Sequence, residues 1–147
     1  MQGRVVHAIL RTLDAAARLL PRQRLAAHLM TGKEGEDDAY FYLRRHGYIV
    51  VARNWRTRRR RGELDLIAWE GDILCFVEVK TRSSRDFLPA EAAVDRPKRR
   101  ELAAMAREYC RRLPQPPSLR FDIVSVYRDQ PAAPPQITLF KNAFQLT

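Results

Sequence analysis

Three side chains near the middle of the chain have the types and spacing for hydrolytic chemistry without a serine, cysteine or histidine nucleophile: Asp65, Glu78 and Lys80. They lie in two apolar runs, Glu63 to Trp69 and Ile73 to Lys80, on either side of a Glu-Gly-Asp turn. Runs of this kind read as a β-hairpin. With Gly71 and Asp72 as the two loop residues, counting outward sets Asp65 directly opposite Glu78 and Glu63 opposite Lys80. Period-two alternation then puts Glu63, Asp65, Glu78 and Lys80 on one face, and Leu64, Leu66, Val77 and Val79 on the other, the core face. Two carboxylates ~5 Å apart at an effective dielectric of ~20 repel by roughly 3 kcal/mol. A divalent cation between them converts that repulsion into binding, and oxygen-rich sites suit Mg²⁺ or Mn²⁺. Such an ion lowers the pKa of bound water and polarises a phosphoryl oxygen. Lys80, two residues along, offers an ammonium to position water or offset charge in the transition state. The plain alternative is an acidic solvent face with a Glu63–Lys80 cross-strand ion pair.

The elements that must carry these residues are legible on both sides. Thr31-Gly32-Lys33-Glu34 reads as a capping box opening a helix to about His46, where Gly47 supplies a left-handed stop. Its stripe is Glu36, Ala39, Tyr40 and Leu43, so a carboxylate lies in line with the apolar face and could add a metal or water contact. Tyr48 to Trp55 reads as a strand. Ser83 to Ala93 is a loop or short helix. Asp95-Arg96-Pro97 opens a second helix with the stripe Leu102, Met105, Ala106, Tyr109 and Leu113, ended by Pro114, Pro116 and Pro117. Leu119 to Tyr127 and Ile137 to Phe140 complete the strands. Helix, three strands, helix, two strands: the order fits an α/β fold, a mixed central sheet flanked by helices.

Residues 1–30 form a separate helical extension ahead of a domain spanning 31–147. Val6, Ile9, Leu10, Leu13, Ala17 and Leu20 fall at helical spacing, and Pro21 interrupts them before Leu25, Leu29 and Met30. This stretch is basic, but it lacks the continuous apolar run of a secretory signal.

At 147 residues the chain is long enough for one real core, and its 27 Lys and Arg against 17 Asp and Glu give +10 with a pI near 10.4. So basic a chain favours polyanions, and arginines, far outnumbering lysines here, match phosphate oxygens with a bidentate fork. Genome composition would produce the same arginine bias. The candidate phosphate contacts are Arg56, Arg58, Arg59, Arg60 and Arg61 before the hairpin, Arg82 after it, and Lys98, Arg99 and Arg100 at the second helix. Trp55 could stack on a base, though an aromatic ending a strand more often packs. Cys75 and Cys110 are too few for a disulfide framework, so a reducing cytosol is the expected setting. No apolar stretch approaches a membrane span, and no membrane partner is expected. His7, His28 and His46 stand apart without ligand spacing.

Gly35-Glu36-x-x-Ala39, Asn54-Trp55, Arg61 to Ala68 and Phe76 to Arg82 together closely resemble the bacterial YraN family, also called UPF0102. Pro89 to Ala93, Phe121 to Val124 and Lys141 to Phe144 look like its later motifs, so the resemblance covers about Lys33 to Phe144. That family is similar to restriction-endonuclease-like proteins of the PD-(D/E)xK type, including archaeal Holliday junction resolvases. The resemblance implies a restriction-endonuclease-like fold, metal-binding Asp65 and Glu78, Lys80 as the lysine of the motif, and Glu36 as the helix-borne acid. Leu64 stands where the motif's name has Pro. Residues 1–30 extend beyond the family's usual short start. The expected activity is Mg²⁺- or Mn²⁺-dependent hydrolysis of DNA, of branched or single-stranded form, with a homodimer suiting two-strand cleavage. The alternative is a nucleic-acid-binding protein of the same fold with little or no chemistry.

Overall fold

The computed structural model describes residues 21–82, 94–130 and 132–145, with 21–31 as backbone only. The helical reading of residues 1–20 and the loop or short helix expected over 83–93 lie outside the described residues. The elements run α1 (Pro21–Arg45), β1 (Ile49–Trp55), β2 (Leu64–Glu70), β3 (Ile73–Arg82), α2 (Arg96–Cys110), β4 (Ser118–Tyr127) and β5 (Gln136–Phe144). The five strands form one sheet in the order β1-β2-β3-β4-β5. Only β3 and β4 are parallel; the other neighbours are antiparallel. A parallel neighbour needs a long crossover, and α2 lies in that connection. This is the expected mixed sheet flanked by helices, of the restriction-endonuclease-like kind.

The helix opening the domain does not begin at Thr31. It runs unbroken from Pro21 through Thr31 and Gly32, so the capping-box reading is corrected. Proline is preorganised for a first helical turn, where its missing N–H would have no partner, whereas a cap residue must sit outside helical geometry. At the other end the expectation holds. Gly47 has φ +85°, Tyr48 N–H donates to Leu43 O at 3.0 Å and Gly47 N–H to Arg44 O at 3.3 Å. This pair of bonds satisfies the orphan carbonyls of the last turn and turns the chain into β1.

Each face of the sheet buries its own apolar layer. Ala39 and Leu43 of α1 meet Leu66, Ala68, Cys75, Val77, Val124 and Val126 on one side. Leu102, Met105 and Ala106 of α2 meet Ile67, Leu74, Phe76, Phe121 and Ile123 on the other. Both faces being covered explains why the central strands read as nearly continuous apolar runs. The α2 cap is as expected: Asp95 Oδ1 accepts from Lys98 N–H at 2.9 Å. Trp55 takes the packing role, edge-on to Tyr109 at 5.4 Å with the Arg112 guanidinium 5.2 Å above it. Burial pushes the Cys75 thiol up to about 11, leaving an unreactive core residue. Among the described residues no helix is long and apolar enough to cross a membrane.

One polar network ties β2, β4 and β5 to Tyr48, the residue before β1, away from Asp65 and Glu78. Fully buried Asp122 of β4 accepts from Arg120 Nε at 2.8 Å and from Arg120 Nη2 at 2.9 Å. The same guanidinium donates to Glu70 of β2 at 2.6 Å and to the Tyr48 hydroxyl at 3.1 Å. The second oxygen of Glu70 meets Lys141 of β5. The β4–β5 register slips between Phe121 and Ile123, opposite Asn142 in the left-handed region at φ +52°. Asp122 Oδ1 takes the Asn142 N–H at 2.8 Å, satisfying the backbone group that the slip frees. Removing one partner of a buried pair strands the other charge. Asp122→Ala is therefore expected to cost about 3–5 kcal/mol, seen as a large fall in the urea midpoint. A loss under about 1 kcal/mol, the scale of an exposed pair, would show the network to be dispensable.

Candidate active site and metal centre

The hairpin turn sets the register as counted: Glu70 pairs with Ile73 and the ladder proceeds in step to Leu66 opposite Val77. There it stops, one residue before the carboxylates. Asp65 and Glu78 are not ladder partners. Instead Asp65 Oδ2 accepts the Val79 N–H at 2.8 Å, a side-chain oxygen taking a backbone donor that the open ladder leaves. β3 stays paired with β4 out to Arg82, while β2 is held there by β1, through Trp55 opposite Leu64. The two strands therefore part at the end where the acids lie. The single core face expected for Leu64 and Leu66 is also corrected: Leu64 packs in the α2-side layer and Leu66 in the α1-side layer. Val77 and Val79 do share the α1 side.

Into this opening the fold brings charges from five elements or their flanks. Asp65 is 8% exposed and Glu78 6%. Carboxylate oxygens of Glu36, Glu63 and Asp65 lie within 4.8 Å of one another. Glu36 comes from α1, and its neighbour Gly35 permits the approach: a Cβ there would stand 1.9 Å from Thr81 Oγ1 of β3. Asn54, in the left-handed region at φ +48°, donates from Nδ2 to Glu36 Oε2 at 2.7 Å and fixes that carboxylate. Glu63 does not pair with Lys80. Its Oε2 accepts from Arg56, Nε at 2.8 Å and Nη2 at 2.6 Å. Lys80 Nζ lies 3.4 Å from Glu78 Oε1, and Lys98 Nζ reaches the same oxygen at 3.5 Å. Glu36 and Asp65 thus share one acid cluster with Glu63, while Lys80 and Lys98 lie on Glu78, whose charge acts on Asp65.

Lys98 was expected among the phosphate contacts; the structure sets it against Glu78. Asn54, Glu63 and Lys98 are the site residues that sequence reasoning left outside the catalytic set. Nothing in the spacing shows that the chain after Lys80 returns Lys98 to Glu78. A positive φ at Asn54 has no periodic signature either. Glu63 alone carried a signal, two residues before Asp65.

The basic segment lies alongside. Arg58, Arg59 and Arg61 are exposed. Arg60 pairs with Glu101 at 3.8 Å and Glu108 at 3.9 Å, and Thr57 donates to Glu108, so α2 pins the segment. Arg100 is exposed, whereas Arg99 donates from Nε to Val94 O at 2.7 Å and covers the Phe144 ring. Arg82 ends β3, half-buried.

Burial, and next the neighbouring Glu78, push the Asp65 carboxyl up to about 8, against the Val79 N–H, which favours the anion. Glu78 Oε2 is buried with no hydrogen-bond partner, a costly state for a charged oxygen. An oxygen-only donor set, an orphaned buried carboxylate oxygen and a crowded Asp fit a hard divalent cation. Asp65, Glu78 and Glu36 are the residues that would hold it.

A mixed sheet whose parted strands carry Asp, Glu and Lys beside a helix-borne Glu belongs to the restriction-endonuclease-like class of folds. Within it, the chain belongs to the UPF0102 (YraN) family: the family described as "Uncharacterised protein family UPF0102" matches residues 35–126. The chain is 53% identical over 137 residues to a UPF0102 protein of Koribacter versatilis (strain Ellin345), covering 93% of this chain and 92% of that protein. It is 50% identical over 131 residues to one of Solibacter usitatus (strain Ellin6076), covering 88% and 95%. It is 44% identical over 114 residues to one of Symbiobacterium thermophilum, covering 77% and 94%. The Koribacter alignment leaves out only 7% of this chain, so it takes in most of residues 1–30. That extended start is shared with a relative.

A carboxyl whose folded pKa is raised binds its proton more tightly in the folded chain than in the unfolded one. Its stabilisation is therefore full below the ordinary carboxylate range and is lost as pH rises towards about 8. In EDTA, Asp65→Asn should be more stable than the wild type at pH 8.5, by a margin that shrinks towards pH 5, roughly as the linkage relation requires. Added Mn²⁺ should raise the wild-type melting temperature more at the higher pH, and leave the variant nearly unmoved. Parallel pH curves for the two proteins would contradict this reading of Asp65.

Proposed function

We propose that this chain is a metal-dependent nuclease that hydrolyses phosphodiester bonds in DNA, of branched or single-stranded form. The observation that carries the reading is the pair of buried carboxylates, Asp65 and Glu78, held at the mouth of two parted strands with Lys80 against Glu78. Asp65 answers the Val79 N–H and Glu78 pairs with Lys80 and Lys98, but two buried like charges side by side still oppose each other, a cost that a bound cation would turn into binding. Bound Mg²⁺ or Mn²⁺ would supply a water acidic enough to attack near neutral pH and a Lewis acid for the phosphoryl oxygen.

The chain's own residues account for the rest. Asp65 is oriented by the Val79 N–H, and Glu36 by Asn54, so neither carboxylate has to find its position when substrate arrives. Lys80 and Lys98 put two ammonium groups beside Glu78, where they can offset the charge that a phosphorane-like transition state gathers. Exposed Arg58, Arg59 and Arg61 offer forks to backbone phosphates, which makes binding steeply salt-dependent. With Cys75 and Cys110 unpaired, the setting of this activity is the reducing cytosol.

The test is cleavage of labelled duplex, single-stranded, flapped and four-way DNA, and of RNA, in Mg²⁺, Mn²⁺ or EDTA. Wild type should cut at least one DNA form only with metal. Glu78→Ala and Lys80→Ala should each lose about a hundredfold or more in rate while keeping salt-sensitive binding. Binding without cutting on every substrate would replace the enzyme with a nucleic-acid-binding module of the same fold.

A further inference from the structure

The Arg56–Glu63 pair is the feature that the proposed chemistry leaves unused. Glu63 stands two residues before Asp65, outside the Asp-Glu-Lys set, yet its carboxylate reaches within 4.8 Å of both Asp65 and Glu36. The acids do not stand alone: Glu78, 6% exposed and with Oε2 buried and unpartnered, presses its charge on Asp65 from β3. On the open side, Arg56 closes on Glu63 with both Nε and Nη2 on a single oxygen, Oε2.

We propose that Glu63 is a further metal-binding carboxylate of this site, and that Arg56 occupies it until a nucleic-acid phosphate draws the guanidinium away. The proposal rests on the metal-dependent reading above and adds to it a coupling between substrate and metal. A guanidinium and a divalent cation on the same carboxylate repel, so in the resting chain Arg56 weakens metal binding. The Arg56 side chain is 73% exposed and that of Glu63 29%. A pair that accessible is weakly held, and a phosphate offers the same fork a bidentate partner. Once Arg56 turns to phosphate, Glu63 is released towards Asp65 and Glu36. Phosphate and metal then favour each other, by the same factor in either order of binding. The consequence is a site that gathers its full metal complement on nucleic acid rather than in free solution.

The experiment is a Mn²⁺ titration of the full chain, read by the loss of free-Mn²⁺ electron paramagnetic resonance signal. It takes wild type, Arg56→Gln, Glu63→Gln, the double variant and Asp65→Asn. Circular dichroism melts confirm that each folds. Arg56→Gln should bind Mn²⁺ about fivefold or more tightly than wild type. Glu63→Gln should bind about tenfold more weakly, and adding Arg56→Gln to it should restore nothing. A phosphorothioate-linked DNA duplex, its own Mn²⁺ uptake subtracted, should tighten binding in wild type and do so far less in Arg56→Gln. Unchanged or weaker binding in Arg56→Gln, or unchanged binding in Glu63→Gln, overturns the proposal. Asp65→Asn separates the two levels. If it abolishes Mn²⁺ binding while Arg56 and Glu63 prove neutral, the metal site stands and the coupling falls. If neither wild type nor Arg56→Gln binds Mn²⁺ at millimolar concentration, both fall.

Discussion

A backbone N–H on β3 that finds its acceptor on a side chain, rather than on the neighbouring strand, is the point on which this site turns. The β2–β3 ladder ends at Leu66 opposite Val77, and the Val79 donor goes to Asp65 Oδ2. Had the ladder continued, Asp65 and Glu78 would face each other across a closed sheet, with nowhere for a cation or a phosphate to enter. Because it stops, β2 follows β1, β3 follows β4, and the acids line the gap between them. The hydrogen bond also explains why Asp65 tolerates its position. The Val79 donor favours the anion, partly offsetting a burial and a neighbour that both oppose it. The site is thus built from a local failure of sheet regularity that one carboxylate both fills and exploits.

The surrounding framework is arranged so that this end can be irregular. At the opposite end of β2, Glu70 is locked by Arg120 and Lys141, and Asp122 joins Arg120 to the Asn142 N–H. Apolar layers cover both faces of the strands between. Gly35 lets α1 run close against Thr81 and carry Glu36 to the gap, and Asn54 pins its carboxylate. Two left-handed asparagines, Asn54 and Asn142, do comparable work at the two ends. Asn142 lies at the slip in the β4–β5 register, where its N–H meets Asp122, and Asn54 turns its side chain to the Glu36 carboxylate. Several of the arginines that give the chain its basic character are held in ion pairs, some of them buried. Arg56, Arg60, Arg120 and Arg128 are spent on Glu63, Glu101, Asp122 and Asp38. Arg58, Arg59, Arg61 and Arg100, by contrast, are exposed.

How far the sequence reads ahead follows from how local each cause is. The turn at Gly71-Asp72, the left-handed stop at Gly47, the Asp95 cap and the period-two runs are local, and the elements they define stand where expected. Glu36 was legible because a carboxylate in line with Ala39, Tyr40 and Leu43 breaks a simple pattern. Three things were not legible. Thr31-Gly32-Lys33-Glu34 has the composition of a cap, but composition cannot say whether the backbone before it is already helical. The opening of the ladder, and with it the parting of Leu64 from Leu66, depends on which strand lies on the far side of β3. The meeting of Lys98 with Glu78 depends on how α2 returns across the sheet. All three are decided by tertiary packing, which overrides propensity and counting.

Whether the acids at the end of the β2–β3 ladder hold a metal ion decides what this site can do. The most direct measurement is the anomalous difference map of a crystal soaked in Mn²⁺, collected on the low-energy side and again above the manganese edge. A metal-binding site here gives an edge-dependent peak in contact with the Asp65 carboxylate and with at least one of Glu36 and Glu78. A soaked crystal with no such peak at Asp65, or with manganese only on acids away from the gap such as Glu70 or Asp129, would contradict it.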